Sequence, residues 1–300
     1  YNMQLYPASS NAPEKPDPWS IRGKSYDLND RGMIMGVINT TPDSFSDGGL
    51  FESSEAATEQ AITLENEGAS IIDFGGESTR PGAERVSVKD ELNRILPAVE
   101  KFVEIRSPQT LISIDTSKAE VAEAGLSAGA DIINDVTGFS DPAMREVAAE
   151  SECGIIIMHM TGNPRTMQIS PNYKNVTAEV ITFLNTQISL CESEGISRER
   201  IVVDPGIGFG KNLEHNLQLI RSIPQITEIK RPVLIGASRK TFIGKILEND
   251  DISEREWPTV ALTSYCREQG AALFRVHSVK QNLDAMLMTE AIINSKRIIN

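Results

Sequence analysis

The chain has 300 residues, with a hydrophobic share of 40% and a charged share of 24%, the balance of an ordinary soluble globular protein with enough apolar residues for a large core. Its formal net charge of −13 argues against nucleic acid and membrane surfaces as partners. Any anionic ligand has to be met by a few basic groups gathered in one cleft.

Residues 1–18 are polar, proline-containing and partly acidic. They lack the apolar centre of a signal peptide and the basic character of a transit peptide, so they read as a loose arm; the division taken from the sequence is an arm at 1–20 and a folded domain at 21–300. Beyond it, short apolar runs recur at 33–39, 70–76, 111–116, 131–136, 154–160, 201–206, 232–238 and 273–279. Most are continuous in Ile, Val, Leu and Met, as strands covered on both faces must be. The segments between them carry helix signals. Ser117 with Glu120 fits a capping box, Asp141 before Pro142 fits an N-cap with proline at the first helical position, and Gly68 and Gly270 stand where C-terminal caps belong. Eight strand–helix units predict an α/β fold, a single (β/α)8 TIM barrel with a short N-terminal extension. Cys153, Cys191 and Cys266 are far apart, without metal-ligand or disulfide spacing, and read as reduced thiols of a cytoplasmic protein. No run of about 18 apolar residues reads as a membrane span.

The strand ends carry the chemistry. In chain order they are Asn39, Glu77, Asp115, Asn134, His159, Asp204, Ser238 with Arg239 and Lys240, and Arg275 with His277. A parallel barrel gathers all of these on one face, where catalytic loops are built. The loop Asn39-Thr-Thr-Pro-Asp-Ser-Phe-Ser-Asp-Gly-Gly49 is long for a strand-to-helix connection, although its residues are also ordinary turn formers. Gly75-Gly-Glu-Ser-Thr-Arg-Pro-Gly-Ala83 follows the second strand and carries Arg80 as a candidate anion clamp. Asp204-Pro-Gly-Ile-Gly-Phe-Gly-Lys211 fails the phosphate-loop pattern, because Asn212 stands where Ser or Thr is required. Its glycines still predict close approach to something flat or charged. Arg239, Lys240, Arg275 and His277 end the seventh and eighth strands, where barrels most often bind phosphate. Asp115, Asn134 and Asp204 offer the acceptor and amide groups that suit a guanidine-like heterocycle such as a pterin, while caps would account for one or two of them equally well. His159 reads as a satisfied core histidine and His215 as a surface residue. No nucleophile stands next to a base in the sequence, which disfavours covalent catalysis.

Taken together, the motifs resemble those of the dihydropteroate synthases from about Met33 to Val279. The resemblance rests on the two loops above and on Ser113-Ile-Asp115, Ile133-Asn-Asp135, Asp204-Pro-Gly-Ile-Gly-Phe-Gly-Lys211, Gly236-Ala-Ser-Arg-Lys240 and Arg275-Val-His277. It implies condensation of 6-hydroxymethyl-7,8-dihydropterin diphosphate with 4-aminobenzoate to 7,8-dihydropteroate and diphosphate, with Mg²⁺ as cofactor and a homodimer as the assembly. It further implies that Asp115, Asn134, Asp204 and Lys240 hold the pterin, with Met158 and Phe209 packed near it and Arg275 stacked on it. Asn39, Thr79, Arg80, Arg275 and His277 would surround the diphosphate, with Asn39 as one weak ligand to Mg²⁺. Phe45, Pro81 and Ser238 would form the aminobenzoate pocket. Asp115, Asp204, Arg80 and Lys240 would carry the catalysis. One departure is Ser278, where that family usually has Asp after the rim histidine. Two other readings share features: a methyltetrahydrofolate-dependent methyltransferase barrel, which has no diphosphate to bind, and a catalytically silent pterin-binding domain.

Overall fold

Eight short apolar strands hydrogen-bond side by side in one parallel sheet. The computed structural model describes residues 15–40, 49–78, 82–162 and 166–298. The strands are β3 (Met33–Asn39), β4 (Ile71–Gly75), β5 (Leu111–Asp115), β6 (Ile132–Asp135), β7 (Gly154–Met158), β8 (Ile201–Asp204), β9 (Leu234–Ile235) and β10 (Leu273–Val276). Their order is β8-β7-β6-β5-β4-β3-β10-β9. The two ends meet where Val203 bridges Val233 in parallel and Val203 N–H donates to the Pro232 carbonyl at 3.0 Å, so the sheet closes into a barrel.

Helices follow the strands on the outside: α1 (Gly49–Asn66), α2 (Val88–Ile105), α3 (Ala119–Ser127), α4 (Pro142–Ala149), α5 (Val176–Ser193), α6 (Leu213–Arg221), α7 (Ile223–Thr227), α8 (Thr241–Leu247), α9 (Glu256–Glu268) and α10 (Val279–Ile298). Asp141 caps α4 through Ala143 N–H at 3.0 Å. Gly68 and Gly270 take the left-handed conformation just past α1 and α9. The capping box expected at Ser117 does not form. Lys118 is the extended residue before α3, with its N–H donating to Thr116 Oγ1 at 3.2 Å and its ammonium on Glu77 and Glu91, so Ser117 lies one residue too early to cap the helix. The strand expected at 232–238 is only two residues long, because the chain turns where Lys240 N–H donates to the Ala237 carbonyl and Arg239 adopts a left-handed φ of 57°.

Alternation along each strand divides the apolar residues into two layers. Ile34, Ile72, Ile112, Ile133, Ile155, Val203, Ile235 and Phe274 belong to the layer between sheet and helices. Met35, Ile71, Leu111, Ile132, Ile156, Val202, Leu234 and Leu273 fill the barrel interior. This interior layer is covered at the N-terminal end of the barrel by an antiparallel hairpin of β1 (Trp19–Ile21) and β2 (Lys24–Tyr26). The packed part of the chain therefore begins before residue 21. Trp19 and Ile21 are buried, and the Trp19 indole N–H donates to the Arg200 carbonyl at 2.8 Å. Arg231, fully buried, ties the hairpin entry to the barrel by donating to the carbonyls of Pro18, Glu199 and Ile201. Trp19→Ala should cost about 3–5 kcal/mol, as for other buried large-to-small changes. Urea denaturation measures it, and a loss below about 1 kcal/mol would show that the hairpin is not part of the cooperative core.

Candidate active site

The same alternation that buries Ile71 and Leu111 inside the barrel turns the residues two and four positions further on toward its mouth. In strand register, Asn39 lies beside Gly75, Gly75 beside Asp115, and Asp115 beside Asn134. One lateral row therefore brings an amide, a carboxylate and a second amide together. Met158 and Asp204 are likewise register partners on β7 and β8. Asn134 faces inward, while the next residue, Asp135, faces outward and holds the following turn by accepting from Thr137 and Phe139 N–H at 2.8 Å. Parity alone separates a site residue from a turn residue in that pair.

An ion network occupies the centre. Arg275 donates through Nε to Asp73 Oδ2 at 2.7 Å and through Nη2 to Asp115 Oδ2 at 2.6 Å. Asn134 Nδ2 reaches the same Asp73 oxygen at 3.3 Å. Burial works against the Arg275 charge, but Asp73 and Asp115 outweigh it and raise its pKa. Burial also pushes Asp115 above the usual carboxylate range, opposed by Arg275 and reinforced by Asp73. Asp73 was not singled out from the sequence, where it is hidden within Ile-Ile-Asp-Phe. The signal available was parity: it lies two residues before Gly75 and shares its face.

Across the mouth, Asp204 Oδ1 accepts the Gly206 N–H at 2.7 Å. Burial raises its pKa to about 6, with Gly206, Lys240 and Lys211 opposing. Lys240 lies with Nζ 4.0 Å from the centre of the Phe209 ring, a cation–π distance. Its pKa is lowered to about 8 by burial and then by Arg275, against Asp204 and Asp115. Phe209 packs with Val136, Met158 and Met167 in a small apolar patch. The patch gives a flat ring a surface to lie on while the polar row meets its edge.

The glycines at 206 and 208 make room for the protein's own groups. A Cβ at Gly206, where φ is +69°, would lie 1.9 Å from the His159 carbonyl oxygen, and one at Gly208 would meet Lys240 Cδ at 3.0 Å. Behind this turn lies Lys211, a second residue whose position was not evident beforehand. It is 2% exposed, with Nζ 3.0 Å from His159 Nδ1 and donating to the Phe209 carbonyl at 2.9 Å. Burial lowers the Lys211 pKa to about 7, and burial with Lys211 lowers that of His159 to about 3. His159 is thus a neutral, satisfied core residue, as expected. His215 lies partly exposed at the start of α6, where it closes a capping box with Asn212.

At the rim, Ser238 Oγ lies 2.9 Å from His277 Nδ1 and accepts from the His277 backbone N–H at 3.3 Å. This side-by-side serine and histidine come from the turn after β9 and the residue just past β10, and their adjacency was not visible in the sequence. Asn39 ends β3 half-buried. Thr79, Arg80, Pro81 and Phe45 lie outside the described residues. Glu77 accepts from Val86 N–H at 3.1 Å and pairs with Lys118, so it holds the base of the 76–86 loop. Among the described residues, no cluster of three or more His, Cys, Asp or Glu could hold a metal ion. The Asn39 amide oxygen suits a hard cation carried mainly by a ligand's own oxygens.

Comparison with known proteins agrees with this geometry. Residues 35–277 match the model of the pterin binding enzyme family. The dihydropteroate synthase of Escherichia coli K12 is 45% identical over 275 residues, covering 92% of this chain and 96% of that one. Among solved structures, the Xanthomonas albilineans dihydropteroate synthase with 4-aminobenzoic acid superimposes with a TM-score of 0.86 at 39% identity, covering 93% of this chain and 99% of that one. The Burkholderia cenocepacia enzyme complexed with 7,8-dihydropteroate gives 0.84 at 35% identity, covering 94% and 99%. The chain belongs to the pterin binding enzyme family and, within it, to the dihydropteroate synthases.

Proposed function

We propose that this chain joins 6-hydroxymethyl-7,8-dihydropterin diphosphate to 4-aminobenzoate by dissociative loss of diphosphate, without a covalent enzyme intermediate. The observation that carries this reading is the composition of the mouth. An inward polar row suited to the edge of a pterin is flanked by the cations Lys240 and Arg275 and by the His277 ring, groups that a diphosphate can use. Asp115, Asn134 and Asp204 bind the pterin edge, Lys240 its oxygen, and Met158 and Phe209 its face, with Arg275 on the opposite face. Asn39, Thr79, Arg80, Arg275 and His277 receive the diphosphate. Phe45, Pro81 and Ser238 line the aminobenzoate pocket. Mg²⁺ offsets diphosphate charge when bound, and Asn39 is the protein oxygen that fits it.

In the reaction, the bond between the pterin methylene carbon and the diphosphate oxygen breaks, and its electron pair leaves with diphosphate. The dihydropterin carries the positive charge, which Asp115 and Asp204 stabilise from fixed positions. The aminobenzoate nitrogen then bonds to the methylene and loses a proton. Arg80 and Lys240 complete the anion-binding surroundings. Purified chain supplied with both substrates and Mg²⁺ should form dihydropteroate with equimolar diphosphate. Tight pterin diphosphate binding without turnover would instead support a silent binding domain.

The closeness of Ser238 and His277 admits a second reading, because a serine bonded to a histidine is also the arrangement of an activated nucleophile. In the dissociative reading, Ser238→Ala raises the KM for 4-aminobenzoate and leaves kcat within about ten-fold. A covalent role predicts a loss of about 10³-fold or more in kcat, which would sink the dissociative reading.

Ionised Asp204 accepts from pterin N–H groups, whereas protonation turns one of its oxygens into a donor and weakens that acceptance. Affinity for a pterin lacking diphosphate should therefore weaken as pH falls through about 6. Calorimetric titration between about pH 5 and 7.5 checks this, and constant affinity across that interval would remove Asp204 from pterin recognition.

A homodimer is proposed from the exposed apolar side chains Ile252, Trp257, Tyr265, Met288 and Ile292 on and beside α9 and α10, a surface of the kind that protein interfaces cover. A cytoplasmic location is proposed from three unpaired, buried cysteines.

A further inference from the structure

Ser238 and Lys240 both serve the site, and the residue between them is Arg239, an arginine with a left-handed φ of 57°. Such a backbone conformation is unfavourable for a residue with a Cβ and persists only where the surroundings impose it. Four hydrogen bonds impose it here. The Arg239 N–H donates to Thr259 Oγ1 at 3.2 Å, and its carbonyl accepts from Arg255 Nη1 at 3.2 Å. Its guanidinium donates through Nε to Glu256 Oε2 at 2.7 Å and through Nη2 to Ser278 Oγ at 3.1 Å. Thr259 Oγ1 in turn donates to the Arg255 carbonyl at 2.7 Å. The buried Arg255 side chain passes Gly244, where a Cβ would lie 2.9 Å from Nη2. The start of α9 therefore holds the peptide groups and the side chain of Arg239 together.

We propose that Arg239 is a positioning residue, locked by Glu256 and Ser278, that aims Ser238 at His277 and Lys240 at Phe209. Opposite sides of the turn point to opposite tasks: the flanking residues reach the site, and Arg239 reaches α9 and the start of α10. Released from the clamp, the residue relaxes toward negative φ and both neighbours rotate out of place. Glu256 is the anionic partner of this clamp and Ser278 the neutral one, so a carboxylate at 278 can take over from one lost at 256. The inference rests on the roles given above to Ser238 and Lys240.

The test measures KM and kcat for both substrates, together with pterin affinity, in variants of the full chain. Glu256→Gln keeps shape and removes the charge. It should lower kcat/KM by about ten- to hundred-fold, the scale of a slightly misplaced site, and weaken pterin binding. Ser278→Asp in that background should restore most of the loss. Arg239→Gly, which accepts the left-handed backbone, should retain more turnover than Arg239→Ala. Equal kinetics of the Gly and Ala variants, or unchanged constants in Glu256→Gln, would overturn the inference. If Arg239→Ala does not fold, the Glu256→Gln and Ser278→Asp pair decides alone. Ser238→Ala and Lys240→Ala serve as reference: normal constants in both would overturn the site roles, while normal constants only in Glu256→Gln would overturn the clamp.

Discussion

A guanidinium from β10 stands between carboxylates from β4 and β5, and most of the site depends on that arrangement. Asp73 is fully buried, and its second oxygen has no hydrogen-bond partner among the described residues. A charge so placed is tolerated only when a partner is fixed beside it, because desolvation costs several kcal/mol per ion. Arg275 is that partner, and its other arm reaches Asp115. Asn134 joins from β6 through the same Asp73 oxygen. Three consecutive strands and β10 are thus held by one polar knot directly above the apolar interior layer. In the proposed reading, the knot is the floor on which the pterin is oriented by hydrogen bonds.

The charge distribution follows a related logic. A chain of net charge −13 repels anions at long range, yet the proposed substrate carries diphosphate. The resolution is local. Lys240 and Arg275 stand at the barrel mouth, with Asp73, Asp115 and Asp204 beside them. Low-dielectric walls focus the field of such a cluster. Burial lowers the pKa of Lys240 to about 8, with Arg275 acting in the same direction.

The two ends of the barrel divide stability from chemistry. At the N-terminal end, Trp19 and Ile21 close an apolar interior and Arg231 satisfies backbone carbonyls. These features concern packing and hydrogen-bond satisfaction. At the C-terminal end stand the left-handed Arg239, the glycines at 206 and 208, and the Asp73–Arg275–Asp115 network, each a local expense compensated by neighbouring contacts. The turn at Arg239 shows how the two meet, since the start of an outer helix, through Thr259, Arg255 and Glu256, sets the direction of two residues at the mouth.

Much of this was legible in the sequence. Eight apolar runs of strand length, separated by helix-length segments with Asp141-Pro142 and glycine punctuation, determined a parallel barrel, because strands covered on both faces need continuous apolar side chains. The polar residues at the strand ends then had to share one rim. Other features depended on tertiary structure. Ser238 meets His277 across 39 positions of sequence, and Lys211 meets His159 across 52; no local signal reports such pairs. The helix after β5 begins one residue later than the Ser117–Glu120 pattern predicts, with Lys118 as its first flanking residue and its ammonium on Glu77 and Glu91. Strand parity made Asn134 a site residue and Asp135 a turn residue, and hid Asp73 within an apolar run. The sequence thus determined which elements form and which face holds the chemistry, because those follow from local periodicity. Closure of the sheet decided which side chains touch, because that depends on register between strands far apart in the chain.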